Sequence, residues 1–149
     1  MSMLHIAGPD DLERLLPMVA GFQDHIGQPR NAEALEQALS PLLEGTPLGV
    51  VYLIGPRRAP VGYIALSFGW SIGFGGLEAR ISQFWVRSAV RGRGMGGDVL
   101  LALVPALAKH GLAAISLELP ESDVRAQSLY LRRGFRAESG TQTLRRVLA

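Results

Sequence analysis

Val86-Arg87-Ser88-Ala89-Val90-Arg91-Gly92-Arg93-Gly94-Met95-Gly96-Gly97 is the stretch on which the reading of this chain turns. It lies between a β-branched and aromatic segment that ends at Val86 and an apolar, helix-periodic segment that begins near Gly94, so it joins a strand to a helix. Glycines let a backbone approach a ligand closely, and the first N–H groups of a helix are donors suited to phosphate oxygens. Arg91 and Arg93 add positive charge where those amides point. Gly92-x-Gly94-x-x-Gly97 also matches the dinucleotide-binding fingerprint, and Glu118 follows about 20 residues later. That fingerprint normally follows its strand directly, whereas here Arg87 to Arg91 intervene, and only 31 residues follow Glu118 to build the second half of such a fold. A plain glycine-rich connection is the other alternative, and the two arginines interleaved with glycines argue against it.

Outward from this turn, the elements read in order as a short strand, two helices, a run of strands, then helix, strand, helix and closing strands. Leu4 to Ala7 suits an opening strand, and Gly8-Pro9-Asp10-Asp11 starts a helix, with proline and acids favoured in its first turn. Leu12, Leu15, Leu16, Val19 and Phe22 give that helix an apolar face, and Pro17 is expected to kink it. Asn31 caps a second helix. Leu48 to Ile54 and Val61 to Trp70 form a hairpin, and Leu77 to Val86 the next strand. A helix from Gly94 to His110, a strand from Ala113 to Leu119 and a helix from Asp123 to Arg133 follow, with strands near Phe135 to Glu138 and Gln142 to Val147. The expected fold class is α/β, or α+β, with a mixed central sheet flanked by helices.

The 149 residues, 48% hydrophobic and 19% charged, suit one globular domain over 1–149. The absence of cysteine excludes a disulfide framework, a thiolate metal site and a cysteine nucleophile. His5, His25 and His110 show no metal-ligand spacing, so no metal is expected. The opening residues Met1 to Asp10 read as neither a basic leader nor an apolar signal stretch, and a cytoplasmic location is expected. The apolar run Val99 to Ala108 covers about half of what a membrane-spanning helix needs, so no membrane partner is expected. Net charge is +2, but residues 1–77 hold four arginines against seven acids, a balance of −3. Residues 78–149 hold ten arginines and Lys109 against six acids, a balance of +5. The second part therefore suits an anionic ligand.

Two motifs resemble a known family, the GCN5-related N-acetyltransferases. Arg91-Gly92-Arg93-Gly94-Met95-Gly96 is similar to its Arg/Gln-x-x-Gly-x-Gly/Ala acetyl-CoA loop, and Leu129-Tyr130-Leu131-Arg132-Arg133-Gly134-Phe135 resembles its Leu-Tyr-x-x-x-Gly-Phe signature. The resemblance implies acetyl transfer from acetyl-CoA to an amine by direct attack in a ternary complex. It implies that Phe84, Trp85 and Val86 pair with the pantetheine arm, and that Arg91 to Gly97 hold the pyrophosphate. It also implies that Tyr130 protonates the departing thiolate, a step a phenol of pKa about 10 can perform. Residues 1–77 would then be mainly the acceptor side and 78–149 mainly the acetyl-CoA side. The family's usual Asn near the start of its last helix is here Asp123, three residues before Ala126; it can cap that helix but brings negative charge toward the cofactor.

Amine attack needs a proton acceptor, and many family members carry Asp-Glu where this chain has Ser82-Gln83. Gln83 is no base; it can orient a water or substrate, and strand alternation places it on one face with Ile81 and Trp85. Glu78, Glu118, Asp123 and His25 are the titratable alternatives, and Glu78 joins Gln83 and Tyr130 as a catalytic candidate. His25, Trp70 and Trp85 are the acceptor-side candidates, beside an acidic balance that favours a cationic amine. Two rival readings stand: an acyl-CoA-binding sensor that has lost catalysis, and an arginine-rich nucleic-acid binder. The latter is disfavoured because no aromatic platform interleaves the arginines. The expected partners are thus acetyl-CoA and an amine, with no nucleic acid, in a monomer or homodimer.

Overall fold

Val50 to Ile54 and the two longer segments that follow it are dense in β-branched and aromatic residues and are interrupted by short glycine-bearing turns. In the computed structural model, which describes residues 3–149, they form the antiparallel meander β2 (Gly49–Ile54), β3 (Gly62–Ser71) and β4 (Gly76–Val86). Met1 and Ser2, part of the opening stretch considered above for a leader, lie outside the described residues. β1 (Leu4–Ile6) pairs antiparallel with β2, and β5 (Ala114–Ser116) pairs parallel with β4. Among the described residues the result is a mixed five-stranded sheet in the order β1-β2-β3-β4-β5, the α/β architecture expected. The chain divides into two compact units, one running to Glu118 and one covering Leu119–Ala149.

In the first unit a single 3-10 turn over Pro9–Asp11 leads into α1 (Leu12–His25), which continues through Pro17 as one helix. Asn31 Oδ1 accepts from Ala34 N–H (2.8 Å) and so caps α2 (Ala32–Leu43). Leu15, Met18 and Val19 of α1, with Leu35, Leu39 and Leu43 of α2, close one core with Val51, Leu53, Tyr63 and Ala65 of the sheet. Ile64 and Leu66, at alternate positions of β3, point to the other face and are equally buried. The parallel pairing of β4 with β5 requires a crossover, and α3 (Met95–Lys109) supplies it, burying Val99, Leu100, Leu103 and Leu107 at helical spacing. No helix among the described residues is long and apolar enough to cross a membrane.

Asp11 ties three parts of this unit together. Its buried carboxylate accepts from Gly8 N–H (2.8 Å) and pairs with Arg57 (3.3 Å) and Arg14 (3.5 Å), while Arg57 also donates to the Ile6 carbonyl (2.7 Å). Burial alone would raise the Asp11 pKa, but the Gly8 amide and the two guanidiniums outweigh it and hold the carboxyl below its ordinary range.

Between β3 and β4 the register slips: Ala65 faces Gln83 whereas Leu66 faces Ile81, so Ser82 is an extra residue, and its hydroxyl donates to the Ala65 carbonyl (3.1 Å). Gln83 and Trp85 therefore share the α1 face with Ala65 and Tyr63. Ile81, expected on that face by simple alternation, lies opposite Leu66 on the other one. The bulge is the physical reason, since one inserted residue inverts the parity of everything beyond it.

In the second unit Asp123 Oδ1 accepts from Ala126 N–H (3.1 Å) at the start of α4 (Val124–Leu131). Gly134 adopts φ +91, the left-handed region that stops a helix, and this folds Phe135 back so that its N–H reaches the Tyr130 carbonyl (3.1 Å). The two rings meet edge to face at 5.3 Å. The strands expected at Phe135–Glu138 and Gln142–Val147 are not formed; 136–149 are irregular and exposed. Ser139 to Thr143 is polar throughout, and local β-propensity without a partner strand does not make a strand.

A Cβ on Gly62 would sit 2.2 Å from the Trp85 carbonyl oxygen, whereas one on Gly69 of the same strand meets nothing within 4 Å. Gly62→Ala should cost at least about 1–3 kcal/mol in urea unfolding, and Gly69→Ala should gain about 0.5–1 kcal/mol. The stability contributed by Asp11 is present above its unfolded value near 3.8 and is lost as the pH falls through its lower folded value. The stability difference between the wild type and Asp11→Asn should therefore shrink below about pH 4.

Candidate functional site

Arg87 N–H donates to the Val61 carbonyl (2.8 Å), which fixes the direction of every main-chain group at the end of β4. Groups alternate along a strand, so those of Trp85 and Gln83 face β3 while those of Phe84 and Val86 face the opposite edge. β5 pairs with β4 only as far as Arg80↔Ser116. Beyond it, Phe84 and Val86 present their N–H and C=O to an edge without a strand partner among the described residues.

That open edge runs directly into the glycine-rich turn. A single 3-10 turn over Ser88–Val90 is followed by Arg91 to Gly94, all exposed, and Gly94 at φ +76 caps the N-terminus of α3, whose first turn is Met95, Gly96 and Gly97. Arg91 folds back over the strand: its Nε donates to the Val86 carbonyl (2.6 Å), and its guanidinium carbon lies 4.1 Å above the Trp85 ring. Arg93 is exposed.

Trp85 is the hub on the α1 face. The His25 ring lies 5.9 Å from it, tilted by 60°, and α1 approaches so closely that a Cβ on Gly21 would come within 3.0 Å of the indole. Next to it on that face, Gln83 accepts from the Tyr63 hydroxyl at Oε1 (2.7 Å) and donates from Nε2 to Gln23 Oε1 (2.9 Å). Burial pushes the Tyr63 phenol well above its ordinary pKa, so it stays a donor.

The first unit thus brings together His25, Gln83, Trp85 and Arg91. Glu78 shares the face but stands five residues back along β4, about 16 Å from Gln83. Trp70 pairs with Leu77 at the far end of the hairpin, is 73% exposed, and lies about 23 Å along β3 from Tyr63, the partner of Trp85. Glu118 is ion-paired with Arg80. In the second unit the Tyr130 ring is buried; burial first, then the Asp123 charge, push its phenol up to about 12. Asp123 itself is engaged as the cap of α4, and Ala126 supplies the capped amide.

Sequence reasoning gave no role to Gln23 or Tyr63. A signal for Gln23 existed: it falls four residues after Val19, at an apolar position of the α1 stripe, where a polar residue needs a partner.

A model of the acetyltransferase (GNAT) family matches residues 19–135. An integron cassette protein from the mobile metagenome of Cole Harbour Salt Marsh superposes with a TM-score of 0.83 at 31% identity, over 99% of this chain and 91% of that one. A candidate acetyltransferase of an Arthrobacter species gives 0.78 at 27% identity, over 100% and 96%. The ribosomal-protein-alanine N-acetyltransferase of Brucella melitensis gives 0.77 at 15% identity, over 95% and 97%, a likeness of fold. No curated protein matches the chain.

The contact of Arg91 with the indole predicts a measurable loss. In a Trp70→Phe background, where Trp85 is the remaining indole, Arg91→Met should change the Trp85 emission and lower stability by about 0.5–1 kcal/mol in urea unfolding.

Proposed function

Because the chain belongs to the GNAT acetyltransferase family, we propose that it transfers an acetyl group from acetyl-CoA to a primary amine of a small molecule or peptide, by direct attack in a ternary complex. The observation that carries this reading is the open edge of Phe84 and Val86 leading into the arginine- and glycine-rich start of α3. An extended arm bearing amides finds donors and acceptors at strand spacing along that edge, and the diphosphate that follows it finds helix N-terminal amides flanked by Arg91 and Arg93. Arg91 leaves the Val86 carbonyl to make that contact. The enzyme works on diffusible substrates in the cytoplasm, as a monomer or homodimer, without a metal, nucleic acid or membrane.

In the reaction the amine nitrogen attacks the thioester carbonyl, a C–N bond forms, and the C–S bond breaks. Tyr130, protonated throughout the working range, donates a hydrogen bond to the departing sulphur. Complete proton transfer to a thiolate of ordinary basicity, about 8.5, is unfavourable by about three to four powers of ten, so the phenol acts chiefly through that hydrogen bond. His25, whose ring lies beside Trp85, is the side chain of α1 to which this reading gives the proton lost by the amine. Trp85 and His25 shape the acceptor side.

Gln83 favours one second reading. Its amide is bonded on both ends and takes up no proton, as suits an acyl-CoA-binding sensor without turnover.

Acetyl-CoA at a hundredfold excess over its Kd should raise stability by about 2.7 kcal/mol, with no effect from NAD. Thiol release across a panel of polyamines, amino acids, aminoglycosides and peptides should then identify the acceptor, and Tyr130→Phe should lower kcat by about 100-fold with binding retained. Absence of acetyl-CoA binding overturns the proposal; binding without thiol release on any amine selects the sensor.

A further inference from the structure

Gln23 is a buried amide that the acetyl-transfer reading leaves without a role. Burying an amide is costly unless both of its polar ends are hydrogen-bonded, and both ends of Gln23 are. Its Nε2 donates to the Gln28 carbonyl (2.8 Å), and its Oε1 accepts from Gln83 Nε2 (2.9 Å). Gln28 N–H also donates to the Gln23 carbonyl (2.9 Å). Gln23 thus grips both main-chain groups of Gln28 and closes the C-terminal end of α1 over the turn through Gly27.

The direction of this chain of bonds is not free. The Gln28 carbonyl can only accept, so Gln23 must turn its NH2 toward it and its oxygen toward Gln83. Gln83 must then offer NH2 to Gln23 and its oxygen to Tyr63, whose hydroxyl must donate. One backbone carbonyl in the connection between α1 and α2 therefore sets the orientation of a side chain on β4, beside Trp85 and the open edge. The alternative orientation of Gln83 would bring two oxygens face to face at Gln23.

We propose that Gln23 is a positioning residue: it holds the Gln83 amide in one orientation during acetyl transfer, so that Gln83 presents a fixed dipole with one N–H still available to the bound substrates. This rests on the acetyl-transfer reading above. It makes the connection after α1 a determinant of turnover, acting through Gln83 without touching the cofactor loop.

The test compares Gln23→Met, Gln83→Met, the double variant and Gln23→Glu, reading acetyl-CoA affinity, kcat and KM for the acceptor, and the side-chain amide NMR signal of Gln83. Gln23→Met should lower kcat about tenfold, shift the Gln83 amide signal, and leave acetyl-CoA affinity unchanged within about twofold. Adding Gln83→Met should cost little more, because both substitutions break one unit. Gln23→Glu keeps an acceptor for Gln83, but only its neutral carboxyl can also donate to the Gln28 carbonyl as the amide does; it should therefore recover most of the loss at the acid end of the pH profile and less of it at the alkaline end. Multiplicative losses in the double variant, equal impairment by Glu and Met across the whole pH profile, or an unmoved Gln83 signal overturn the proposal. A wild-type protein that releases no thiol with any amine instead overturns the acetyl-transfer reading itself.

Discussion

Parallel pairing between β4 and β5 ends at Arg80↔Ser116, while β4 continues to Val86, and this difference in length is the constraint on which the candidate site depends. A buried strand normally satisfies both of its edges. Here β3 satisfies one edge to the end, and the other edge is released just where the chain turns into Arg91 to Gly97. The local basic charge, the helix N-terminus and the main-chain groups left without a strand partner therefore fall in one line. Gly62 permits this pairing, because β3 approaches the Trp85 carbonyl more closely than a side chain at that position would allow, and the Arg87 N–H bond to the Val61 carbonyl continues it past Val86.

The bulge at Ser82 performs the second task. Without it, Gln83 and Trp85 would continue the parity of Ala79 and Ile81 and point away from α1. With it, they face α1, where Gly21 leaves room for the indole and Gln23 meets the Gln83 amide. One inserted residue thus turns the last residues of a core strand toward α1 and the candidate site, while the Ser82 hydroxyl helps to satisfy the backbone at the irregularity.

Much of this is legible in the sequence. The glycine and arginine spacing after Val86 marks the strand-to-helix turn, Asn31 and Asp123 mark helix starts, and the Tyr130–Gly134–Phe135 spacing has a local cause in the left-handed turn that brings the two rings together. What is hidden is non-local. The bulge leaves alternation at Ile81, Gln83 and Trp85 intact on paper, because only the partner strand reveals which residue is extra. The segments after Phe135 have strand-like composition but no partner, and pairing cannot be read from one segment alone. The aromatic character of Trp70 and the carboxylate of Glu78 say nothing about their distance along a hairpin. Gln23 shows only as a polar intruder in an apolar stripe, and its bond to a residue 60 positions away is a property of the fold.

The Arg91 side chain spans two partners within the chain, the Val86 carbonyl and the Trp85 ring, so both are screened or uncovered together by one side-chain movement. An anion that draws the guanidinium toward the start of α3 uncovers the last acceptor of the strand edge, and a donor that takes over the Val86 carbonyl frees the guanidinium for the anion. On the reading proposed above, a ligand bearing both groups would displace Arg91 once for two engagements, each easing the other by the same free energy, as reciprocity demands. A fragment carrying either end alone would displace the same side chain for a single engagement.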